Sequence, residues 1–240
     1  MKAALLGPEF SDGEIEAALR SHGAVYRKAE RDDLLRLTAE LLNAGKVVGW
    51  FQGRMEFGPR ALGNRSILGD ARAPGMQSLI NRKVKFRESF RPFAPIVRRE
   101  RVADYFELNV DSPYMLLVAP VKKALRHPME KVRGFDLLKQ TRSTLPAVTH
   151  VDYSARIQTV TREANALLYD LLARFEELTG CAVLVNTSFN VRGEPIACTP
   201  DNAYQCFMKT EMDCLIIGSF VLDRAAQPRS DRTALVHGID

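Results

Sequence analysis

Apolar residues recur every three or four positions in several stretches of the chain, and this spacing predicts amphipathic helices. Ser11 followed by Glu14 forms a capping-box pattern, which predicts a helix that ends near Gly23. Leucines at helical spacing predict a second helix over 32–43. Two further helices are predicted over 74–84 and 98–108. Another is predicted over 161–178, with Thr161 as its cap and Gly180 after its end. A last helix is predicted from Pro200 onward, with Thr199 as its cap.

Short apolar runs bounded by turn residues alternate with these helices and predict strands. The alternation indicates an α/β fold in which helices flank a twisted mixed sheet. The polar and weakly periodic segment 122–145 is predicted as a long surface excursion. The predicted strands cover 46–51, 93–97, 113–121, 146–151, 155–160, 181–189 and 214–222.

Composition limits the class of protein. A chain of 240 residues with 46% hydrophobic content is long enough to bury one sizeable core, so we predict one domain over 1–224 and a flexible tail over 225–240. The four cysteines are spaced 17, 8 and 8 residues apart, unlike zinc-ligand or redox motifs, and lie in apolar runs as small buried residues do. Reduced thiols, together with the lack of a signal-peptide pattern and of an apolar run of roughly 18 residues, predict a soluble cytoplasmic protein.

Positive charge is concentrated between Gly49 and Arg101. This segment holds 12 Lys and Arg against 4 Asp and Glu, a surplus of +8 that exceeds the net charge of +5 for the whole chain. Its six glycines allow sharp turns and a close approach of the backbone to a partner. Guanidinium groups beside such turns favour a concave site for phosphate groups.

The first candidate site lies in the sequence KFRESFRPFAP. Lys85 and Arg87 are two residues apart, and side chains at this spacing in an extended segment point to the same face, so we expect the two cations to converge on one ligand. Arg91 is a candidate third cation. The three phenylalanines within 86–93 are expected to anchor the segment in the core. A solvated basic edge is the alternative interpretation.

The second candidate site lies in the sequence VLVNTSFN. A buried strand ends there in small polar side chains, and open α/β sheets usually bind ligands at the carboxyl ends of their strands. Ser188 and Asn190 are candidate donors to phosphate or carbonyl oxygens, with Asn186 and Thr187 beside them and Arg192 close by. A polar turn that satisfies its own backbone is equally compatible with the pattern.

The third candidate site lies in the sequence THVDYSARIQTV. His150 and Asp152 are candidates for an acid–base pair, and Arg156 for a further phosphate contact, although a single histidine beside a strand is more often structural. The chain has no HxxxH or HExxH pattern and no carboxylate cluster, so we predict no metal held by protein ligands. A Walker A loop is also missing, so any bound ATP must use another kind of site.

Four strings in this chain closely resemble the C-terminal domain of the ATP-dependent O-carbamoyltransferases of antibiotic and nodulation-factor biosynthesis. The likeness extends from about Leu6 to Val221, and its strings are GRMEFGPRALGNRSIL, NRKVKFRESFRPFAP, THVDYSARIQTV and VLVNTSFN. That domain is similar to the YrdC/Sua5-like fold, whose hallmark pairs a K-x-R motif with a distant S-x-N motif. Residues 85–87 and 188–190 match these motifs in that order.

The resemblance implies a two-step carbamoyl transfer. In the first step this YrdC-like domain would convert carbamoyl phosphate and ATP, with Mg²⁺ on the ATP, into carbamoyl adenylate, with release of phosphate and pyrophosphate. In the second step a Kae1-like N-terminal domain would pass the carbamoyl group to a hydroxyl of the acceptor. Lys85 and Arg87 are expected to hold carbamoyl phosphate, and Ser188 and Asn190 to bind nucleotide or carbamoyl oxygens. Four arginines are expected to neutralise the phosphates: Arg54, Arg60, Arg65 and Arg156.

This chain is shorter than the family it resembles. Family members are more than twice as long, and the Kae1-like domain with its metal-binding histidines has no counterpart here. We therefore expect a fragment, a split subunit or a stand-alone relative that needs a Kae1-like partner to complete transfer. A single-stranded nucleic-acid-binding module is one alternative, which an aromatic content of 8% disfavours. A catalytically silent scaffold for a Kae1-like partner is the other, which the intact motifs disfavour.

Overall fold

The computed structural model describes residues 4–130, 134 and 136–228, in which one mixed sheet of nine strands is flanked by helices. The predicted mixed α/β fold is confirmed. The strands are β1 (Arg27–Lys28), β2 (Val48–Phe51), β3 (Arg65–Asp70), β4 (Ala94–Arg98), β5 (Leu117–Pro120), β6 (Ser154–Val160), β7 (Val183–Ser188), β8 (Cys214–Ile217) and β9 (Phe220–Asp223).

The order of the strands places the end of β7 in the middle of the sheet. The order is β1-β9-β8-β2-β3-β7-β4-β6-β5. β2 is parallel to β8 and β4 is parallel to β6, whereas the other neighbours are antiparallel. Ser188 at the end of β7 pairs with Ser66 in β3, and Asn186 pairs with Ala94 in β4. The carboxyl end of β7 is therefore enclosed by strands on both sides.

Local capping by a side chain explains where three of the longer helices begin. A capping box at Ser11 begins the first helix, Asp12–Ser21, as predicted. Thr199 caps the last helix, Pro200–Lys209, as predicted, and forms a capping box with Asn202. The sixth helix begins later than predicted, because the Asn165 side chain caps it while Thr161 accepts a hydrogen bond in the preceding turn. The helices are α1 (Asp12–Ser21), α2 (Arg31–Asn43), α3 (Met76–Lys83), α4 (Val102–Tyr105), α5 (Asp136–Lys139), α6 (Ala166–Thr179) and α7 (Pro200–Lys209).

Several strand predictions need correction. β3, a buried strand between β2 and β7, was not predicted from the sequence. Residues 146–151 form turns instead of the predicted strand. The predicted strand 214–222 is a hairpin, since Gly218 adopts a φ of 53° between β8 and β9, a left-handed conformation that glycine permits.

The predicted surface excursion 122–145 is partly buried. Residues 131–133 and 135 lie outside the described residues. Arg142, Ser143 and Leu145 are each at most 4% exposed. Ser143 Oγ lies 2.7 Å from Thr149 Oγ1, and this contact ties the end of the segment to the core.

The predicted tail 225–240 lies mostly outside the described residues, which end at 228. Within the described part, Gln227 is buried, and its Nε2 donates to the carbonyl oxygens of Val25 and Asp223.

All four cysteines are free, and Cys198 alone among them is not buried. In the part of the chain that the structure describes, no helix has the length and apolar character needed to cross a bilayer.

Candidate functional site

The two predicted motifs meet at the side chain of Lys85. Lys85 Nζ donates to the backbone oxygens of Ser188 at 2.5 Å and Asn190 at 2.9 Å, and to Asn190 Oδ1 at 2.8 Å. Ser188 Oγ lies 3.2 Å from the same nitrogen. One ammonium group thus joins the segment after α3 to the carboxyl end of β7, and three of the four predicted catalytic residues come together.

Asn190 is held in place from two sides. Ser188 Oγ donates to Asn190 Oδ1 at 2.7 Å, and Asn190 Nδ2 donates to the Glu194 carbonyl at 2.7 Å. The hydroxyl and the amide oxygen therefore face the ammonium of Lys85. Ser188 and Asn190 were expected to donate to a ligand, whereas in this structure they position Lys85.

The Lys85 ammonium is buried without a counter-ion. Lys85 is 4% exposed, and among the described residues no carboxylate forms an ion pair with it. The pKa of Lys85 is lowered to about 7, mainly by burial and in smaller part by the nearby Arg87. Burying an ionised group is unfavourable unless it is paired. A cation surrounded by neutral oxygens therefore attracts an anionic ligand.

Arg87 lies near Lys85, but the two side chains do not share the face of an extended segment as predicted. Phe86 between them has a φ of 47°, in the left-handed region, so the backbone turns at this residue. Arg87 Nε donates to Asn81 Oδ1 at 2.7 Å, and the guanidinium carbon lies 5.1 Å from the centre of the Phe93 ring. Asn81 and Phe93 therefore orient the guanidinium group.

The predicted anchoring by three phenylalanines is correct for one of them. Phe93 is 3% exposed, whereas Phe86 and Phe90 are 44% and 45% exposed. Arg91, the predicted third cation, is exposed, and its Nε lies 3.4 Å from a carboxylate oxygen of Glu88. Two aromatic rings thus lie at the surface beside the basic motif.

Arg60 and Arg156 form a second cationic centre at the same end of the sheet. Arg156 in β6 lies level with Ala94 in β4, which pairs with Asn186 in β7. Two strand spacings of about 4.8 Å place the backbone of Arg156 roughly 10 Å from that of Asn186 in β7. Burial lowers the pKa of Arg156, and Arg60 lowers it further. Among the described residues neither guanidinium is ion-paired with a carboxylate, so both charges are available to an anion.

Asn186 connects the glycine-rich loop to the sheet. Its side chain is 1% exposed, and its Nδ2 donates to the Ala61 carbonyl at 3.1 Å and to Gln158 Oε1 at 2.7 Å. Its Oδ1 is buried without a hydrogen-bond partner, so one acceptor is unused. Thr187 is half-buried, and its side chain points to the other face of β7.

Arg65 was predicted to contact phosphate, but its side chain lies in the core. It is 0% exposed, and Nη1 donates to three backbone oxygens within 52–64 at distances between 2.8 and 3.1 Å. Its guanidinium carbon lies 3.6 Å from the centre of the Phe51 ring, and burial lowers its pKa to about 10. This enclosure assigns Arg65 to the stability of the loop. Arg54 is exposed, with its Nε 3.6 Å from a carboxylate oxygen of Glu9.

Glu56 supports the site region from within the glycine-rich loop and was not predicted from the sequence. It is 4% exposed, and its Oε1 accepts hydrogen bonds from three backbone N–H groups within 62–65 at 2.7, 2.6 and 3.1 Å. Gly63 between these groups has a φ of 108°, which favours glycine. The carboxylate therefore fixes the loop that carries Arg60. A signal was present, since Glu56 is the only acidic residue within 49–69.

His150 and Asp152 are not hydrogen-bonded to each other. Asp152 Oδ1 accepts from the Ser154 amide at 3.0 Å, and His150 Nδ1 lies 3.4 Å from Ser154 Oγ. Burial lowers the pKa of His150, although Asp152 opposes this effect. The arrangement supports the structural interpretation of this histidine.

A recess of about 210 Å³ opens beside Asn190. Its walls include Phe189, Glu194, Cys206 and Lys209, and Lys209 Nζ forms an ion pair with Glu194 at 2.9 Å. A small substrate group can therefore lie next to the residue that holds Lys85. A larger cleft of about 490 Å³ beside α2, β8 and β9 contains none of the predicted site residues.

Comparison with known proteins identifies relatives of this chain. Uncharacterized protein sll1178 of Synechocystis is 57% identical over 238 residues, which cover 97% of this chain and 39% of that protein. Nodulation protein NolNO of Sinorhizobium fredii is 40% identical over 227 residues, covering 92% of this chain and 31% of that protein. The 3'-hydroxymethylcephem-O-carbamoyltransferase of Streptomyces clavuligerus is 42% identical over 153 residues, covering 64% of this chain and 26% of that protein.

Among solved structures, full-length HypF in its phosphate- and nucleotide-bound form aligns with 80% of this chain and 22% of that chain, at 17% identity and a TM-score of 0.48. The present chain spans between 26% and 39% of the length of the three curated relatives named above. The family model described as Carbamoyltransferase C-terminus matches residues 39–224, which include every residue predicted for the site. Because this match covers most of the chain, and relatives at least 40% identical span nearly all of it, the protein belongs to the carbamoyltransferase C-terminus family.

Proposed function

We propose that this chain binds ATP and carbamoyl phosphate and forms carbamoyl adenylate, which a Kae1-like partner domain uses to carbamoylate a hydroxyl group. The observation that carries the proposal is the buried ammonium of Lys85, held without a counter-ion where the two motifs meet. A phosphoryl or carboxyl oxygen that reaches Nζ adds the negative charge that the neutral acceptors lack. Substrates with several anionic oxygens therefore fit this position.

Two cationic centres suit two anionic substrates. Lys85 and Arg87 form one centre at the end of β7, and Arg60 with Arg156 forms the other at β6, two strands away in the sheet. Carbamoyl phosphate is assigned to the first centre and phosphates of ATP to the second, with Mg²⁺ carried on those phosphates. Cations fixed before the substrates arrive stabilise charge that develops on phosphoryl oxygens, which is the main source of catalysis in phosphoryl transfer.

Two bond exchanges give the adenylate. In the first, the oxygen of a water molecule forms a bond to the phosphorus of carbamoyl phosphate while the bond from that phosphorus to the carbamate oxygen breaks. Carbamate and inorganic phosphate result, and both hydrogens of the water stay on the phosphate. An oxygen of the carbamate then forms a bond to the α-phosphorus of ATP, while the bond from that phosphorus to the oxygen of the β-phosphate breaks and pyrophosphate leaves. Lys85 supplies positive charge in both exchanges, and no proton leaves Nζ.

The test is pyrophosphate release by the purified chain with ATP, Mg²⁺ and carbamoyl phosphate, each omitted in turn. Release that requires both substrates supports adenylate formation by this chain. An absence of release, while calorimetry detects ATP binding, would mean that the partner domain is needed for activation. An absence of both release and ATP binding would favour the scaffold or the nucleic-acid alternative.

One observation favours the nucleic-acid alternative as a second candidate. Phe86 and Phe90 are exposed next to Arg87 and Arg91, and such alternation of rings and guanidinium groups suits stacked bases and phosphates of a single strand. Binding of a labelled oligonucleotide across a salt series separates the two functions. Nucleic-acid affinity should decrease steeply with salt, because each neutralised phosphate releases a counter-ion. Failure to bind at low salt rejects this candidate.

A further inference from the structure

Four large apolar side chains form an exposed surface next to the second cationic centre. Leu6, Phe57, Leu116 and Val118 are 59%, 75%, 65% and 60% exposed, and we call them the docking face. Contiguous apolar surface of this kind usually marks a site of interaction. Val25 and Leu178, also exposed at 51% and 49%, belong to other elements and serve below as controls.

The members of the docking face are joined by a small buried cluster. Ala4 and Met115 pack together in that cluster, with Leu62 and Ala94. Leu6 follows Ala4 by two residues, and the Phe57 amide donates to the Ala4 carbonyl at 2.6 Å. Leu116 follows Met115 directly. The segments that carry the docking face therefore lie close together around one buried cluster.

The docking face includes an edge of the sheet. β5 is the last strand in the sheet order and pairs with β6 on one side. The end of its other side is covered, because the Glu107 amide donates to the Pro120 carbonyl at 2.8 Å and Phe106 forms an isolated bridge with Val121. Among the described residues no strand pairs with the rest of that edge, and an uncovered apolar edge favours association with another chain. Val118 in β5 pairs with Arg156 in β6, so this edge also borders the second cationic centre.

We propose that the docking face binds the Kae1-like partner of the proposed function, so this inference rests on that proposal. The partner corresponds to the part of the longer relatives that lies outside the domain matched here. Those relatives are about three times as long as the matched part, which supplies an occupant of suitable size. The partner would border Arg60 and Arg156, so an adenylate formed there would pass directly to the second active site. A second copy of this chain fits less well, because a twofold contact through this face would bring the two pairs of arginines together.

Hydrogen exchange tests the proposal. A chimaera is prepared in which this chain replaces the matched portion of the Synechocystis relative, and exchange of peptides covering 56–58 and 114–119 is compared with that in the isolated chain by mass spectrometry. We expect exchange to be at least about tenfold slower in the chimaera, and peptides around Val25 and Leu178 to be unchanged. Equal exchange at 56–58 and 114–119, or protection at the control peptides alone, overturns the proposal.

Two further measurements make the result unambiguous. If the chimaera does not fold, the same comparison between the full-length Synechocystis relative and its own matched portion decides the question. Ultracentrifugation of the isolated chain identifies a dimer, and a dimer that protects the docking face overturns the proposal in favour of a second copy. The variant Phe57→Ser/Val118→Ser should lose the protection, whereas Val25→Ser/Leu178→Ser should keep it.

Pyrophosphate release separates failure of this inference from failure of the proposed function. Protection of the docking face without release by either isolated chain or chimaera would support docking and reject the proposed chemistry. Release without protection would support the chemistry and reject docking.

Discussion

Replacement of Lys85 by methionine removes the ammonium at the point where the two motifs meet while keeping an unbranched side chain of similar length. Two unit charges about 4 Å apart interact by roughly 4 kcal/mol at an effective dielectric constant of about 20. A lost hydrogen bond to a charged group costs about 1.5–3 kcal/mol. Lys85 is 4% exposed, so water cannot replace its contact with a bound anion. We therefore expect Lys85→Met to weaken carbamoyl phosphate binding by about 2–4 kcal/mol, or roughly 30- to 700-fold in Kd.

The assay for Lys85→Met is calorimetric titration with carbamoyl phosphate, followed by pyrophosphate release. Lys83→Met is the matched control, because Lys83 carries the same charge two residues away, has a side chain 50% exposed and is ion-paired with Glu211 at 2.9 Å. Circular dichroism and urea unfolding show whether both variants fold. Wild-type affinity and turnover in a folded Lys85→Met protein, or an equal loss in Lys83→Met, would refute the assignment of Lys85.

Three further predictions concern pH and the glycine-rich loop. Because the pKa of Lys85 is lowered to about 7, carbamoyl phosphate should bind most strongly when Lys85 is protonated, and its affinity should decrease as pH rises through about 7. Calorimetry at a series of pH values measures this profile, which Lys85→Arg should flatten because arginine stays charged. A flat profile for the wild-type protein contradicts the prediction. Glu56→Gln should lower the free energy of unfolding by about 1–3 kcal/mol in urea, because three N–H groups lose an ionised acceptor, and an unchanged midpoint would show that the charge is not needed. In the same urea experiment, Arg65→Met should lower the free energy of unfolding by about 2–4 kcal/mol, because Arg65 is buried. Arg54→Ala should lower the free energy of unfolding by less than about 0.5 kcal/mol, because Arg54 is exposed. Equal effects of the two variants would contradict the burial of Arg65.

The sequence was informative where local chemistry decides structure. Capping boxes at Ser11 and Thr199 are complete within four residues, so both helix starts could be predicted. β3 could not, because only Ile67 and Leu68 are large apolar residues in it, and its burial comes from the neighbouring strands β2 and β7. Propensity within the segment carries no information about such neighbours.

The candidate site was predictable in membership but not in geometry. The motifs around Lys85 and Ser188 could be paired by resemblance, and the structure brings them into contact. The left-handed turn at Phe86 was not predictable, since a bulky residue rarely adopts that conformation. The burial of Arg65 was also hidden, because its hydrogen-bond acceptors are backbone oxygens, which no side-chain pattern reveals.

The bond between Glu56 and the glycine-rich loop has a consequence for the rates at which ligands exchange. Three N–H groups of the loop are satisfied by a carboxylate within the chain, so the entropy of ordering the loop is lost on folding and not on binding. A substrate therefore meets a finished surface, and neither its arrival nor its departure has to wait for the loop to rearrange. Since those N–H groups are already occupied, recognition at this loop falls to side chains such as Arg60. In the proposed function the product passes to a partner, and rapid exchange suits that transfer.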